Sequence, residues 1–210
     1  LLRLRNRLSR AGYECHLFNY HVWGKPAARI AVKLHEFVDR IDAPVVHMVA
    51  HSFGGIVALH MFDQFPFTLQ GRVVLMASPV NGSAVAKRIN ANPMTRWMLG
   101  QSVVNGLSGD VPKWKGWQDI GIIAGNFPFG LGLVAGGPEL PHDGTVSVEE
   151  TELKGATDAV IVRSDTAIRW RIVPTTPVIL ILFHAQPAPE FQFRSSHFRA
   201  VKRFRCEIFC

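Results

Sequence analysis

Ser52 is the residue best placed to do chemistry. A serine hydroxyl attacks a carbonyl only when a base takes its proton, and that base works best with a carboxylate to orient it. Ser52 sits in Ala50-His51-Ser52-Phe53-Gly54, followed by Gly55. This is a G-x-S-x-G turn with Ala in the first position, and Ala is the mildest departure a close strand–helix approach permits. Residues 45–50 before it form a short, β-branched apolar run, and residues 54–59 after it are helix formers. A strand–turn–helix setting of this kind lifts a hydroxyl above the sheet and aims the Phe53 N–H at the same point.

The elements that must position Ser52 follow from periodicity. Residues 1–11 read as the end of a helix stopped by Gly12, and residues 13–20 as a strand. Pro26 is suited to a first helical position. Ile30, Leu34, Phe37, Val38 and Ile41 then form one apolar helical stripe. The helix after Ser52 is expected to run to about Phe65, before Pro66. Residues 72–78 and 119–125 read as short buried strands, Ser83 as a helix cap, and residues 158–162 as a further strand. This alternation predicts an α/β fold with a mostly parallel sheet and helices on both faces. Residues 91–118, with Trp97, Trp114, Trp117 and Met98, have no clean period. They read either as a lid over an apolar substrate or as an excursion packing its own aromatics.

Composition bounds the rest. With 210 residues, 48% of them hydrophobic, the chain can form one domain with a substantial core. Residues 178–183 are far too short an apolar run to cross a membrane, and no transmembrane segment is expected. Cys15, Cys206 and Cys210 give neither metal spacing nor a disulfide framework, so no metal and a reducing, cytoplasmic compartment are the default expectations. The net charge is +7, but residues 163–210 alone carry 8 Lys/Arg and 3 Asp/Glu. A basic tail on a nearly neutral body argues against a nucleic-acid partner.

Three motifs together carry a resemblance. They are the Ala-His-Ser-x-Gly-Gly turn, Ala77-Ser78-Pro79-x-x-Gly82-Ser83 after the next strand, and His142-Asp143-Gly144-Thr145-Val146 with Glu149-Glu150-Thr151 beyond it. On these residues the chain resembles an α/β-hydrolase of the serine esterase/lipase branch, over residues 1 to about 162. The resemblance implies Ser52 as nucleophile, Asp143 as the orienting acid, the Phe53 N–H as one oxyanion donor, and the chain order Ser, acid, His. It implies no cofactor, and a small-molecule ester substrate with an apolar acyl group. Acyl transfer to an alcohol or amine would use the same turn.

Two departures shape the expectation. The family's earlier strand, whose His-Gly loop gives the second oxyanion donor, belongs between residues 13–20 and 45–50. Nothing before Tyr13 can supply it. The fold is therefore expected to lack its first strands, with two central strands missing their shared neighbour, and the chain reads as a fragment. The catalytic His is expected just after residues 158–162, where Arg163-Ser164-Asp165-Thr166-Ala167 stands instead. Residues 163–210 are thus expected to be a divergent or out-of-frame tail, poorly ordered. The surviving base candidates are His197, in Arg194-Ser195-Ser196-His197-Phe198, and His184, after an apolar run; His197 has the more family-like context. His51 reads as packing or tuning the site, His47 and His60 as core, and His142 as out of order. The chain as it stands is expected to turn over little, so a catalytically inactive protein or a non-catalytic binding module is the competing expectation.

Overall fold

The computed structural model describes residues 2–20, 25–66, 70–95, 97, 99, 106–126, 141–163 and, by backbone and pairing, 180–184. Helix α1 (Leu2–Arg10) leads through Gly12, at φ 92°, into strand β1 (Glu14–Phe18). Helix α2 (Ala27–Val38), strand β2 (His47–His51) and helix α3 (Phe53–Gln64) follow, then β3 (Val73–Met76), α4 (Ala84–Ala91), β4 (Ile120–Gly125), β5 (Asp158–Val162) and β6 (Leu180–His184).

The six strands form one sheet in the order β1-β6-β2-β3-β4-β5. The pairs β2–β3, β3–β4 and β4–β5 are parallel, and β6 runs antiparallel to both β1 and β2. Alternation along the strands divides the core between the two faces. Met48, Ala50, Val73 and Leu75 pack with α2 and α3 on one side. On the other, Val49 lies with Leu17, Val74, Met76 and α1 residues Leu4 and Leu8. Helices therefore cover both faces, as the sequence implies.

α3 is the central helix: every residue from Phe53 to Phe62 is buried, which suits its nearly uninterrupted apolar sequence. α2 buries Ile30, Leu34 and Val38 on its stripe and closes at Asp39, so Ile41 packs on the core from beyond the helix. Pro26 stands one residue earlier than expected, at the N-cap, with φ −67° and ψ 155°.

β6 is the largest departure from the sequence reading. The position between β1 and β2 is filled from the far end of the chain, by part of the segment expected to be a poorly ordered tail. Leu182 lies opposite His16 on one side and Met48 on the other. The physical reason is the one that made the gap costly: two facing strand edges present rows of N–H and C=O groups that need partners. An extended apolar segment of either direction meets that need. Residues 164–179 and 185–210 lie outside the described residues.

In the stretch after α4, Trp114 and Trp117 pack against the core cluster, and Trp114 meets Phe62 edge-on with centroids 5.5 Å apart. Lys115 adds an ion pair to Asp63 at 2.7 Å. Phe62 lies nine residues beyond Phe53, the first residue of α3, about 14 Å along the helix. Trp114 therefore covers the far end of α3. Met94 and Trp97, 83% and 62% exposed, are the apolar side chains this stretch presents outward among the described residues.

Candidate active site

Ser52 occupies the single-residue turn between β2 and α3, with φ 53° and ψ −125°. A side chain at positive φ is sterically costly for an L-residue, and such conformations persist only where the surroundings over-determine them. The surroundings here are specific. The Ser52 N–H donates to Met76 O at 2.9 Å, and the Gly55 N–H donates to Ser52 O at 3.0 Å. Gly55 has no room for a side chain, because a Cβ there would overlap Ser78. Among the described residues, the only other non-glycine at positive φ is Ala77 (φ 46°), just past the end of β3. Both strained residues thus lie at the carboxyl edge of neighbouring parallel strands, where α/β sheets gather their sites.

Phe53 is the first residue of α3. N–H groups in the first helical turn have no intrahelical acceptor and carry the positive end of the helix dipole. His51, the last residue of β2, precedes this turn, and burial pushes its imidazole pKa down to about 4. At neutral pH it is an uncharged neighbour of Ser52.

Asp143 is fully buried. Its Oδ1 accepts the N–H groups of Thr145 at 2.9 Å and Val146 at 2.8 Å, and its own N–H donates to Val146 O at 3.0 Å. This is an Asp-Gly turn closed by its own side chain, with Gly144 at φ 92°. His142 is buried too, its Nδ1 accepting the Gly144 N–H at 2.8 Å.

The Asp143 loop is fastened to the turn that leaves β3. Asn81 Nδ2 donates to Glu149 O at 3.0 Å and Glu152 O at 2.6 Å, and the Asn81 N–H donates to Glu150 O at 3.1 Å. Glu150 Oε1 accepts the Ala84 N–H at 2.6 Å, at the start of α4. Ser83 caps the same helix, accepting from the Ala86 N–H at 3.2 Å, as expected. The second and third motifs of the sequence are therefore two halves of one docked unit. The roles of Asn81 and Glu150 escaped the sequence reading, although Ser147-Val148-Glu149-Glu150 carries a capping-box signature, S-x-x-E.

The candidate bases stand differently. His197 lies outside the described residues. His184 pairs with Glu14, the first residue of β1, and its neighbour Phe183 with His47, the first residue of β2. That is the amino edge of the parallel strands, and Ser52 follows the carboxyl edge about 17 Å away at ~3.3 Å per residue. The backbone of His184 thus stands at the opposite end of the sheet from Ser52. His47 belongs to the amino edge as well, its Nδ1 accepting the Arg72 N–H at 3.0 Å, and His60 is buried in α3. Among the described residues no cluster of His, Cys, Asp and Glu is arranged to hold a metal ion, and no helix is long and apolar enough to cross a membrane.

Residues 2–205 match the model of the alpha/beta hydrolase family. The fold is similar to the crystal structure of the lipase BlEst2 from Bacillus licheniformis in its mature form, with a TM-score of 0.52 and 24% identity over 66% of this chain and 65% of that one. Its propeptide form matches with the same TM-score at 22% identity, over 66% of this chain and 35% of that one. This chain thus spans a little under two thirds of the mature lipase. No curated protein matches the sequence. The chain belongs to the alpha/beta hydrolase family.

Proposed function

We propose that this protein is a serine hydrolase of carboxylic esters, with Ser52 as nucleophile, the Phe53 N–H as an oxyanion donor and Asp143 as the acid that orients the catalytic histidine. The observation that carries the reading is Ser52 at φ 53° between a parallel strand and the central helix. A conformation of that cost at the carboxyl edge of the sheet has a use when the hydroxyl must stand clear of both elements. In this mechanism Ser52 Oγ attacks the ester carbonyl and gives its proton to an imidazole. The oxyanion gathers on the Phe53 N–H and collapses to break the ester C–O bond, expelling an alcohol that takes the proton from the imidazole. Water, deprotonated by the same imidazole, then cleaves the acyl–Ser52 ester and releases the acid. His197 is the base this reading assigns, from its sequence context alone. The likeness to a lipase supports an ester with an apolar acyl group as the substrate class.

The test is a fluorophosphonate probe, which phosphonylates an activated serine. The folded chain is expected to label, and Ser52→Ala to abolish labelling. His197→Ala should reduce both labelling and hydrolysis of p-nitrophenyl esters. A second reading, that the chain is catalytically inactive, is favoured by the placement of β6: an antiparallel strand stands where the family's oxyanion loop emerges from a parallel one. Absence of labelling in a folded, soluble chain would support that reading.

A further inference from the structure

We propose that Glu150 is a positioning residue for Asp143, holding the loop that carries it against the first turn of α4; this rests on the reading of Asp143 as the orienting acid. Glu150 uses both carboxylate oxygens on different segments. Oε2 accepts the Ser147 N–H at 2.9 Å while the Glu150 N–H donates to Ser147 Oγ at 3.1 Å, a reciprocal capping box that opens the short 3-10 turn Glu149–Thr151. Oε1 accepts the Ala84 N–H at 2.6 Å, so the same side chain caps α4 from 66 residues away. One carboxylate thus accepts from the N-terminus of α4, where negative charge is favoured, and from the backbone just before the 3-10 turn.

The connection reaches both proposed catalytic groups. On one side, Ser147 follows Val146, whose N–H and C=O both bond Asp143. On the other, the turn from Ser78 to Ser83 leaves β3 beside Met76, the acceptor for the Ser52 N–H. Asn81 clamps the same turn to the backbone of Glu149, Glu150 and Glu152. Asn81 reaches from the β3–α4 turn with its side chain, and Glu150 reaches back from the Asp143 loop with its own. Lys87 and Asp143 are the charged groups that act on its carboxylate.

Glu150→Gln keeps the shape but offers one acceptor and one donor, so one of the two N–H groups must face another N–H. Amide hydrogen exchange at Ala84, Thr145, Val146 and Ser147 is expected to rise about tenfold, while Leu75 and Ile122 in β3 and β4 stay unchanged. Ser147→Ala, a milder change, should move the same amides by less. Unchanged exchange at those four amides, or a uniform rise throughout the sheet, would overturn the proposal. Fluorophosphonate labelling separates it from the reading beneath it. If Asp143→Asn slows labelling, Glu150→Gln should slow it too and add nothing in the Asp143→Asn background. Slowing by Asp143→Asn with none by Glu150→Gln sinks the Glu150 role alone, and so does an equal effect in both backgrounds. If Asp143→Asn leaves labelling untouched, the role of Asp143 itself is wrong.

Discussion

Gly55 lies beneath the side chain of Ser78, so closely that a Cβ on Gly55 would take the place of Ser78 Oγ. The contact sets how near α3 comes to the end of β3, and therefore how tightly the Ser52 turn is held. Gly55→Ala is expected to destabilise the fold by about 1–3 kcal/mol through overpacking. Adding Ser78→Gly should recover more than half of that loss, because the two substitutions share one volume. Urea unfolding of the two single variants and the double variant checks this; an additive double variant would separate the two positions.

His51 makes stability depend on pH. Its folded pKa is about 4 against an ordinary value of 6.5, so between those values the unfolded chain binds more protons than the folded one. Its contribution is present above pH 6.5 and is lost as pH falls toward 4, a change on the order of 3 kcal/mol. His47, lowered by burial and then by Arg72, acts in the same direction. Glu150 acts oppositely. Burial raises its pKa, Ala84 and Ser147 N–H groups and Lys87 oppose the rise, and Asp143 adds to it. Its contribution is therefore present below its ordinary value of 4.5 and declines as pH rises through the raised one. Unfolding free energies measured from pH 4 to 7 should show a positive slope that His51→Gln flattens and Glu150→Gln steepens.

Ala77 tests whether backbone strain at the carboxyl edge can be relieved away from Ser52. At φ 46° its Cβ costs about 1–2 kcal/mol, and a glycine there would lose about 0.5–1 kcal/mol more chain entropy on folding. Ala77→Gly should raise stability by up to about 1 kcal/mol and the melting temperature by ~2–4 °C. A lower melting temperature would mean that the Ala77 methyl, itself buried, contributes more by packing than it costs in strain.

Features set by a few neighbouring residues were legible in the sequence. The β2–Ser52–α3 unit and the Ser83 cap follow from local pattern and stand within a residue or two of expectation, while the α2 stripe holds to Val38 and its helix ends three residues short of Ile41. Three features were not legible, for one physical reason. An apolar run such as residues 178–183 states that it can be a strand but not which edge it joins or in which direction. Its partners in β1 and β2 lie 130 or more positions away. Likewise Ser147 and Glu150 announce a capping box, yet nothing local says that the second carboxylate oxygen reaches Ala84. The burial of Asp143 has the same origin, since the β3–α4 turn that docks beside its loop is remote in sequence.

Leu182 puts the central place of β6 to the most direct test. It sits in the middle of a five-residue strand, opposite His16 in β1 and Met48 in β2, so its backbone belongs to a ladder with strands on both sides. Proline has no N–H to give and is tolerated in sheets essentially at edges and bulges. Leu182→Pro is therefore expected to cost about 1–3 kcal/mol for the ladder partner left unsatisfied and to open the sheet between β1 and β2, since each would lose the neighbour it pairs with on that side. In thermal unfolding followed by far-UV circular dichroism, the variant should melt well below the parent or lose its cooperative transition. Faster amide exchange should appear first at His16 and Phe18 in β1 and at Val49 in β2, the alternate positions that face β6, because the Met48 N–H faces β3 and bonds Arg72 O. A variant that melts with the parent would show that residues 180–184 do not fill this position, and that β1 and β2 are joined by something else.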